Sequence, residues 1–306
     1  MEKREYSVII PVLRIEGNDN LNVILTALAK QELPPKEVHF VAGDKRQGRA
    51  INYGVSQASC KYIATLDDDT IVDDNKLFSK LLEEMEKDPD IGICGAACEI
   101  PENATFFQKR AMCEIPRRYY PVQRESRSSD MVQHPCLIME KKLFEQIGGE
   151  DEELIRGLDP ILRKKVRDTG KKCVIAANTW IYHLIPDSFT KLLKMYYRNG
   201  RGSGYASHNY PERILELTDG YDDGVFIEKR WFIFRVFRRF FSLLYSIITL
   251  KFLKCATDIA YGLGVLREKI SPSCIQIPEI NKISTEVENK KYPFKLFIHK
   301  VELEEL

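Results

Sequence analysis

Residues Tyr62–Leu77 read YIATLDDDTIVDDNKL. Tyr62–Leu66 is a short apolar run of strand length, and three aspartates, Asp67, Asp68 and Asp69, follow it without a break. Leu77, Phe78, Leu81, Leu82 and Met85 then recur at helical spacing. Three successive carboxylates repel one another, and a hard divalent cation such as Mg²⁺ or Mn²⁺ turns that repulsion into binding. The carboxyl end of a strand in an open α/β sheet is also where ligands collect. An acidic turn leading through Asp73 and Asp74 into a helix, favoured by the helix dipole, is the structural alternative.

Outward from this stretch the same alternation repeats. Tyr6–Val12 (YSVIIPV) is a β-branched run of the kind buried on both faces of a parallel sheet. Leu21, Ile24, Leu25 and Leu28 give an amphipathic helix that stops before Pro34-Pro35. Glu37–Ala42 reads as a strand, Gly48–Ser59 as a helix with Ile51, Val55 and Ala58 on one face, and Ile91–Cys98 as a strand. Strands alternating with helices through short links predict an α/β fold with a mostly parallel sheet. From Glu99 to Gln133 the pattern turns irregular and basic, as expected of a surface excursion beside a site. Regularity returns with a strand at Cys136–Met139, a helix ending at Gly148-Gly149, and a helix from about Asp159 to Thr169. Cys173–Ala177 and Thr179–Tyr182 read as two strands.

The chain has 306 residues, with 46 Lys+Arg against 45 Asp+Glu, a formal net charge of +1. Such a balance excludes a general nucleic-acid binder, and the 44% hydrophobic content excludes a mainly disordered chain. Eight cysteines form no C-x-x-C pair; they read as free thiols in a reducing, cytoplasmic setting. The amino-terminal apolar run is too short for a signal peptide and is broken by Pro11. Charge is unevenly spread, however. Residues 225–254 hold seven Lys+Arg and one Glu, a local +6 that leaves −5 for the remainder.

The basic part contains RWFIFRVFRRFFSLLYSIITLKFLK, residues 230–254. Its longest uncharged run, Phe240–Leu250, is 11 residues, against the roughly 20 a helix needs to span a bilayer. Arg235, Arg238 and Arg239 precede that run and Lys251 and Lys254 follow it. Aromatics and cations around an apolar centre predict a helix lying in an anionic membrane interface, with burial against the rest of the chain or a partner as the alternative. The resulting organisation is a catalytic domain over residues 1–224, a helical segment over 225–270, and a polar tail over 271–306 with one strand at Tyr292–Val301.

Taken in order, VIIPV (Val8–Val12), GRAINYGVSQA (Gly48–Ala58), TLDDDTIVDDNKL (Thr65–Leu77), the segment from Ile138 to Cys173, and WIYH ending at His183 resemble the family 2 glycosyltransferases. The resemblance runs over about residues 5–205. It implies a GT-A fold, a nucleotide-diphosphate-sugar donor, a divalent metal, and inversion at the anomeric carbon. By position, Asp67 and Asp69 match the family's D-x-D pair, Asp69 on the metal and Asp67 on the ribose and metal shell, with Asp68 as helper. His183 stands where many members keep a histidine near the metal.

The family places its base in a Glu-Asp pair opening a helix, and the matching positions are Leu158-Asp159. Asp159 is thus the implied general base, and its glutamate neighbour is absent; capping of the helix before Pro160 is the structural alternative. Arg198 and Arg201, in YYRNGRGSG, are implied contacts of the diphosphate or of an acceptor phosphate. Pro11 and Val12 and the end of the second strand line the family's base pocket. VAGDKRQGRAIN runs straight from that strand into the helix, so Asp44 and Arg49 are the substitutes there.

The resemblance implies a hydroxyl acceptor on a glycan, and the basic aromatic segment suits one linked to lipid at the cytosolic face of a membrane. A polyprenyl-phosphate sugar synthase of the same fold and a noncatalytic sugar-nucleotide-binding scaffold are the alternatives. A sugar nucleotidyltransferase is disfavoured, because no G-x-G-T-R-like loop follows the first strand.

Overall fold

The computed structural model describes residues 4–215, 232–273, 280–287 and 291–303. In chain order the elements begin β1 (Tyr6–Val12), α1 (Asn20–Ala29), β2 (Glu37–Ala42), α2 (Gln47–Gln57), β3 (Tyr62–Leu66), α3 (Leu77–Lys87) and β4 (Ile91–Glu99). Next come α4 (Phe106–Glu114), β5 (Arg127–Ser128), β6 (Cys136–Glu140), α5 (Lys141–Gln146), α6 (Leu158–Asp168) and β7 (Lys172–Tyr182). The chain continues with α7 (Phe189–Asn209), α8 (Phe232–Ile248), α9 (Phe252–Ile270), β8 (Ile280–Val287) and β9 (Lys295–Leu303).

One mixed sheet runs through the molecule in the order β5-β7-β4-β6-β3-β1-β2-β9-β8. β1 pairs in parallel with β2 and β3, whereas β6 is antiparallel to both β3 and β4. Alternation along β1 sends Val8 and Ile10 to one face and Ile9 to the other. Val8 and Ile10 pack with Leu21, Ile24, Leu25 and Leu28 of α1 and with Leu77, Phe78 and Leu81 of α3. Ile9 packs with Ile51 and Val55 of α2 and Leu162 and Val166 of α6. Helices therefore cover both faces, which is why the central strands read as unbroken apolar runs.

Four expectations are corrected. Cys173–Ala177 and Thr179–Tyr182 are one strand, β7, whose pairing to β4 shifts register between Gly95 and Ala97. The 99–133 stretch is not irregular throughout: Thr105 opens α4 with a capping box through Gln108, and Tyr120 bridges back to Cys98. The polar tail supplies two strands, not one. β9 lies parallel on β2 from Glu37↔Lys295 to Ala42↔Lys300, with β8 antiparallel outside it. Finally, the 230–254 segment is not one helix. Residues 249–251 break it between α8 and α9, with Leu250 at φ 55°. Residues 230 and 231, and the boundary expected near 224, lie outside the described residues.

Two glycines of YYRNGRGSG, Gly200 and Gly204, sit inside α7 where they admit another helix. A Cβ on Gly200 would lie 2.8 Å from the Tyr261 carbonyl carbon, and one on Gly204 would lie 2.8 Å from Glu268 Cβ. Gly264 of α9 returns the approach onto the backbone of Tyr197 and Arg201. Cys60, Cys94, Cys136 and Cys173 are buried and, among the described residues, form no disulfide.

Candidate active site

β3 ends at Leu66, so Asp67 leaves the sheet at its carboxyl edge. The strand residues before Asp67 are buried, and the turn that follows is tied to β7 through an Ile71–Tyr182 bridge. That bridge brings His183, the first residue after β7, beside the acidic turn. Ligand atoms of Asp67, Asp69 and His183 all fall within 4.8 Å of one another, and His183 Nε2 is 3.1 Å from Asp69 Oδ1. Gln47 Nε2 donates to Asp67 Oδ1 at 2.7 Å, fixing one carboxylate from the start of α2. Asp68 turns away to accept from Asn18 Nδ2 at 3.0 Å.

The electrostatics are those of a site short of positive charge. Burial, reinforced by Asp69 and Asp159, pushes the Asp67 carboxyl up to about 6. Burial also acts to raise Asp69, but the hydrogen bond and charge of His183 outweigh it and hold Asp69 below the ordinary value. Burial acts to lower His183, and Asp69 and Asp67 together raise it. Two carboxylates and an imidazole at this spacing fit a small divalent cation that accepts hard oxygen and nitrogen donors, such as Mn²⁺ or Mg²⁺.

These residues open onto a cleft of about 1270 Å³, lined also by Asp159, Arg118, Arg156 and Arg198. Asp159 is in the first turn of α6. Gly157, at φ 89°, is the N-cap instead, and the Asp159 side chain makes no cap bond to its own helix. The capping role considered for Asp159 is therefore corrected. Its Oδ1 accepts from the His134 backbone N at 2.8 Å and lies 2.6 Å from His134 Nδ1. Burial acts to raise Asp159, but the charge and hydrogen bonds of His134 hold it well below the usual carboxylate range.

Other expected residues lie elsewhere. Arg201 projects to α9, with Nε 3.1 Å from Glu268 Oε2, and is not among the cleft-lining residues. Asp44 and Arg49 pair with each other at 2.6 and 2.9 Å, and Asp44 Oδ1 accepts from Arg46 N, so the pair braces the β2–α2 turn. Val12 is core at 3% exposure and Pro11 is half-buried. Just beyond them Leu13–Glu16, Ala42 and Gly43 form a hollow of about 240 Å³ whose far wall is Lys300 and Val301 of β9.

Sequence reasoning did not single out Gln47, His134, Glu150, Arg156, Lys191 or Lys194. Lys191, Lys194 and Arg198 do carry a signal. They recur at i, i+3 and i+7 along α7 and all line the cleft. His134 carried none, since 25 residues separate it from Asp159.

The family model described as Glycosyl transferase family 2 matches residues 7–148. No curated protein sequence matches the chain. Among solved structures it is similar to the mannosyltransferase PcManGT from Pyrobaculum calidifontis, in complex with GDP-Man and Mn²⁺. That likeness has 12% identity and a TM-score of 0.54 over 87% of this chain and 88% of that one. The catalytic domain of Drosophila β1,4-galactosyltransferase 7 gives 13% identity and a TM-score of 0.47, over 98% and 95%. S. aureus TarS 1–349, in complex with UDP-GlcNAc, gives 12% and 0.46, over 67% of each chain. The central mostly parallel sheet flanked by helices is the GT-A fold.

Proposed function

Residues 7–148 belong to glycosyl transferase family 2, and from that premise we propose that the chain is an inverting, metal-dependent glycosyltransferase. It moves a sugar from a nucleotide-diphosphate donor to a hydroxyl acceptor. The observation that carries this reading is the convergence of Asp67, Asp69, His183 and Asp159 on one cleft at the carboxyl edge of the sheet. Asp67, Asp69 and His183 would hold the cation, which when bound neutralises the charge developing on the departing nucleotide diphosphate. Asp159 takes the proton of the acceptor hydroxyl as its oxygen bonds to the anomeric carbon. The bond to the diphosphate breaks on the opposite face, and one displacement inverts the centre.

The acceptor side of the cleft is cationic. Arg118 and Arg156 face it from two loops, and Lys191, Lys194 and Arg198 face it from α7. Lys191 is paired with Asp187; among the described residues Lys194 and Arg198 have no carboxylate partner. Like charges at helical spacing destabilise a helix unless an anion lies between them, which suits an acceptor bearing phosphate. We therefore assign Arg198 to the acceptor, and keep a polyprenyl-phosphate sugar synthase as the second reading.

Beyond the cleft, Phe234, Phe237, Phe241, Leu244 and Ile248 form a stripe along α8, each 43–71% exposed. Ile259, Leu263, Leu266 and Ile270 form another along α9, 49–74% exposed. Among the described residues no helix is long and apolar enough to cross a membrane. Two exposed apolar stripes flanked by Arg238, Arg267 and Lys269 support a chain lying on an anionic membrane, at its cytosolic face, with a lipid-linked acceptor. Lys254 does not contribute, being paired with Asp258 at 2.6 Å.

The test is a melting panel of nucleotide sugars with Mn²⁺ or Mg²⁺, since a ligand bound only by the folded chain raises its melting temperature. Asp159→Asn should then lower transfer by about 10²–10⁴-fold. Near-normal turnover would move the reading to a phosphate acceptor, which needs less base assistance. A panel without any shift sinks the glycosyltransferase reading.

A further inference from the structure

His134 lies in the turn before β6, is 2% exposed, and stands between two carboxylates. Its Nδ1 is 2.6 Å from Asp159 Oδ1 and its Nε2 is 2.9 Å from Glu150 Oε1. Side-chain exposure falls from 35% at Asp159 to 3% at His134 and 1% at Glu150, so the row runs from the cleft into the interior. The middle of the row and its buried end are braced. Thr65 Oγ1 donates to the His134 carbonyl at 2.9 Å, and Asn52 of α2 bonds the Glu150 backbone through both its amide atoms.

An imidazole can donate to two carboxylates only when both its nitrogens carry protons. The neutral ring would aim a lone pair at one of the two oxygens, so this arrangement selects the imidazolium. Consistent with that, burial acts to lower His134, and Glu150 and Asp159 override it and hold the ring well above its ordinary value. A buried row of three charges is costly, and among the described residues Glu150 Oε2 has no hydrogen-bond partner. Apolar side chains would fill the same space at less cost, so the row answers to the site and not to the fold.

We propose that His134 and Glu150 are positioning residues for the base, pinning Asp159 Oδ1 so that Oδ2 meets the acceptor hydroxyl. Glu150 places, through His134, a second carboxylate behind Asp159, whose preceding residue is the buried Leu158. The inference rests on the glycosyl-transfer reading. In the reaction the acceptor proton moves to Asp159 Oδ2, His134 keeps both of its protons, and the nucleotide diphosphate leaves with the electron pair of the broken bond. A carboxylate held so low is a weak base toward a free hydroxyl. The attacking oxygen, once bonded to carbon, is a strong acid, so the proton departs late.

The experiment compares His134→Gln, Glu150→Gln and Asp159→Asn in Mn²⁺-dependent hydrolysis of the nucleotide sugar selected by the melting panel. His134→Gln and Glu150→Gln should lower kcat by about 10–100-fold through misplacement of the base, with donor KM within about twofold. His134→Gly should regain at least about tenfold with added imidazole, which a purely structural role would not show. Ring ¹⁵N NMR of the wild-type chain should show both His134 nitrogens protonated at neutral pH, and Glu150→Gln should neutralise the ring. Wild-type kcat in both glutamine variants, or a neutral wild-type ring, overturns the inference. If Asp159→Asn is impaired while those two variants are not, this inference fails and the base assignment stands. If no nucleotide sugar binds, the broader reading fails, and the NMR arm still decides whether His134 is the charged link.

Discussion

Gly200→Ala and Gly262→Ala place the same methyl group on two packed helices and should shift stability in opposite directions. In α7 a Cβ at Gly200 would sit 2.8 Å from the Tyr261 carbonyl carbon and 3.0 Å from its Cα, where ordinary contact begins at 3.4 Å. Its neighbours, the Tyr261 carbonyl oxygen nearest among them, are backbone atoms of α9, so no rotamer can yield and the helix axes must part. Overpacking of this kind costs about 1–3 kcal/mol, offset by the roughly 0.5–1 kcal/mol that alanine gains over glycine in a helix. The net loss of about 1–2 kcal/mol corresponds to a melting temperature lower by about 2–8 °C in a chain of this size. A Cβ at Gly262 in α9 would have no described atom within 4 Å, so Gly262→Ala keeps only the propensity gain and should melt about 1–4 °C higher. Because Arg198 and Asn199 precede Gly200 and line the cleft, Gly200→Ala should also weaken acceptor binding. Thermal melts followed by circular dichroism read both variants. A Gly200→Ala chain that melts at or above wild type would show that α7 and α9 are not in backbone contact, and would refute the packing argument.

Three further outcomes follow from other contacts. Asp69→Asn and His183→Ala each remove a donor from the proposed cation site, so isothermal titration with Mn²⁺ should show at least about tenfold weaker binding; unchanged affinity would remove them from the ligand set. His299 is buried against His39, with Nε2 3.0 Å from His39 Nδ1, and burial first and His39 second push it from 6.5 down to about 4. A depressed histidine favours folding above its unfolded value, so this contribution, up to roughly 3 kcal/mol, is complete above about pH 6.5 and is lost as pH falls toward 4. Urea midpoints at about pH 7.5 and 4.5 should therefore fall less in His299→Gln than in wild type, and an equal fall in both would contradict the sign. For the exposed stripes, Phe237→Ser with Phe241→Ser should abolish sedimentation with anionic liposomes, and retention of binding would assign the α8 face to another occupant.

The sheet and the acidic centre were legible because local signals and tertiary placement coincide there. Tyr62–Leu66 is apolar on both faces because helices cover both, and Asp67–Asp69 stand at the ligand edge because the strand stops just before them. Asp44 and Arg49 illustrate the opposite case. Each is a polar residue near the expected nucleotide pocket, yet five residues along one turn let them satisfy one another. Arg198 and Arg201 are three apart in α7, yet only Arg198 lines the cleft, because Arg201 meets Glu268 of α9. Linear spacing could not decide between those destinations without the second helix. The His134 row was illegible for a related reason: its members come from the turn before β6, the loop after α5 and the first turn of α6, and they meet only in the folded chain.

The tail alters what counts as the catalytic unit. β2 is buried at every position, including the polar Glu37 and His39, and that burial is completed by β9 lying along it in a six-residue register. Glu37 accepts from Ser7, Ser59 and the Ser59 backbone N, and His39 meets His299, so residues nearly the whole chain apart share one polar layer. Without β9 the EVHFVA edge would present unpaired backbone groups and apolar side chains, a template for association with other chains. A chain cut at residue 273 should accordingly aggregate at its sheet edge, not behave as a free-standing catalytic domain. The same strand walls the hollow beside Pro11 and Val12 with Lys300 and Val301, so its loss would open that hollow as well as the fold. The acidic and basic parts inferred from the charge asymmetry are thus not two units in series: the basic helices α8 and α9 are inserted between a sheet and its own last strands.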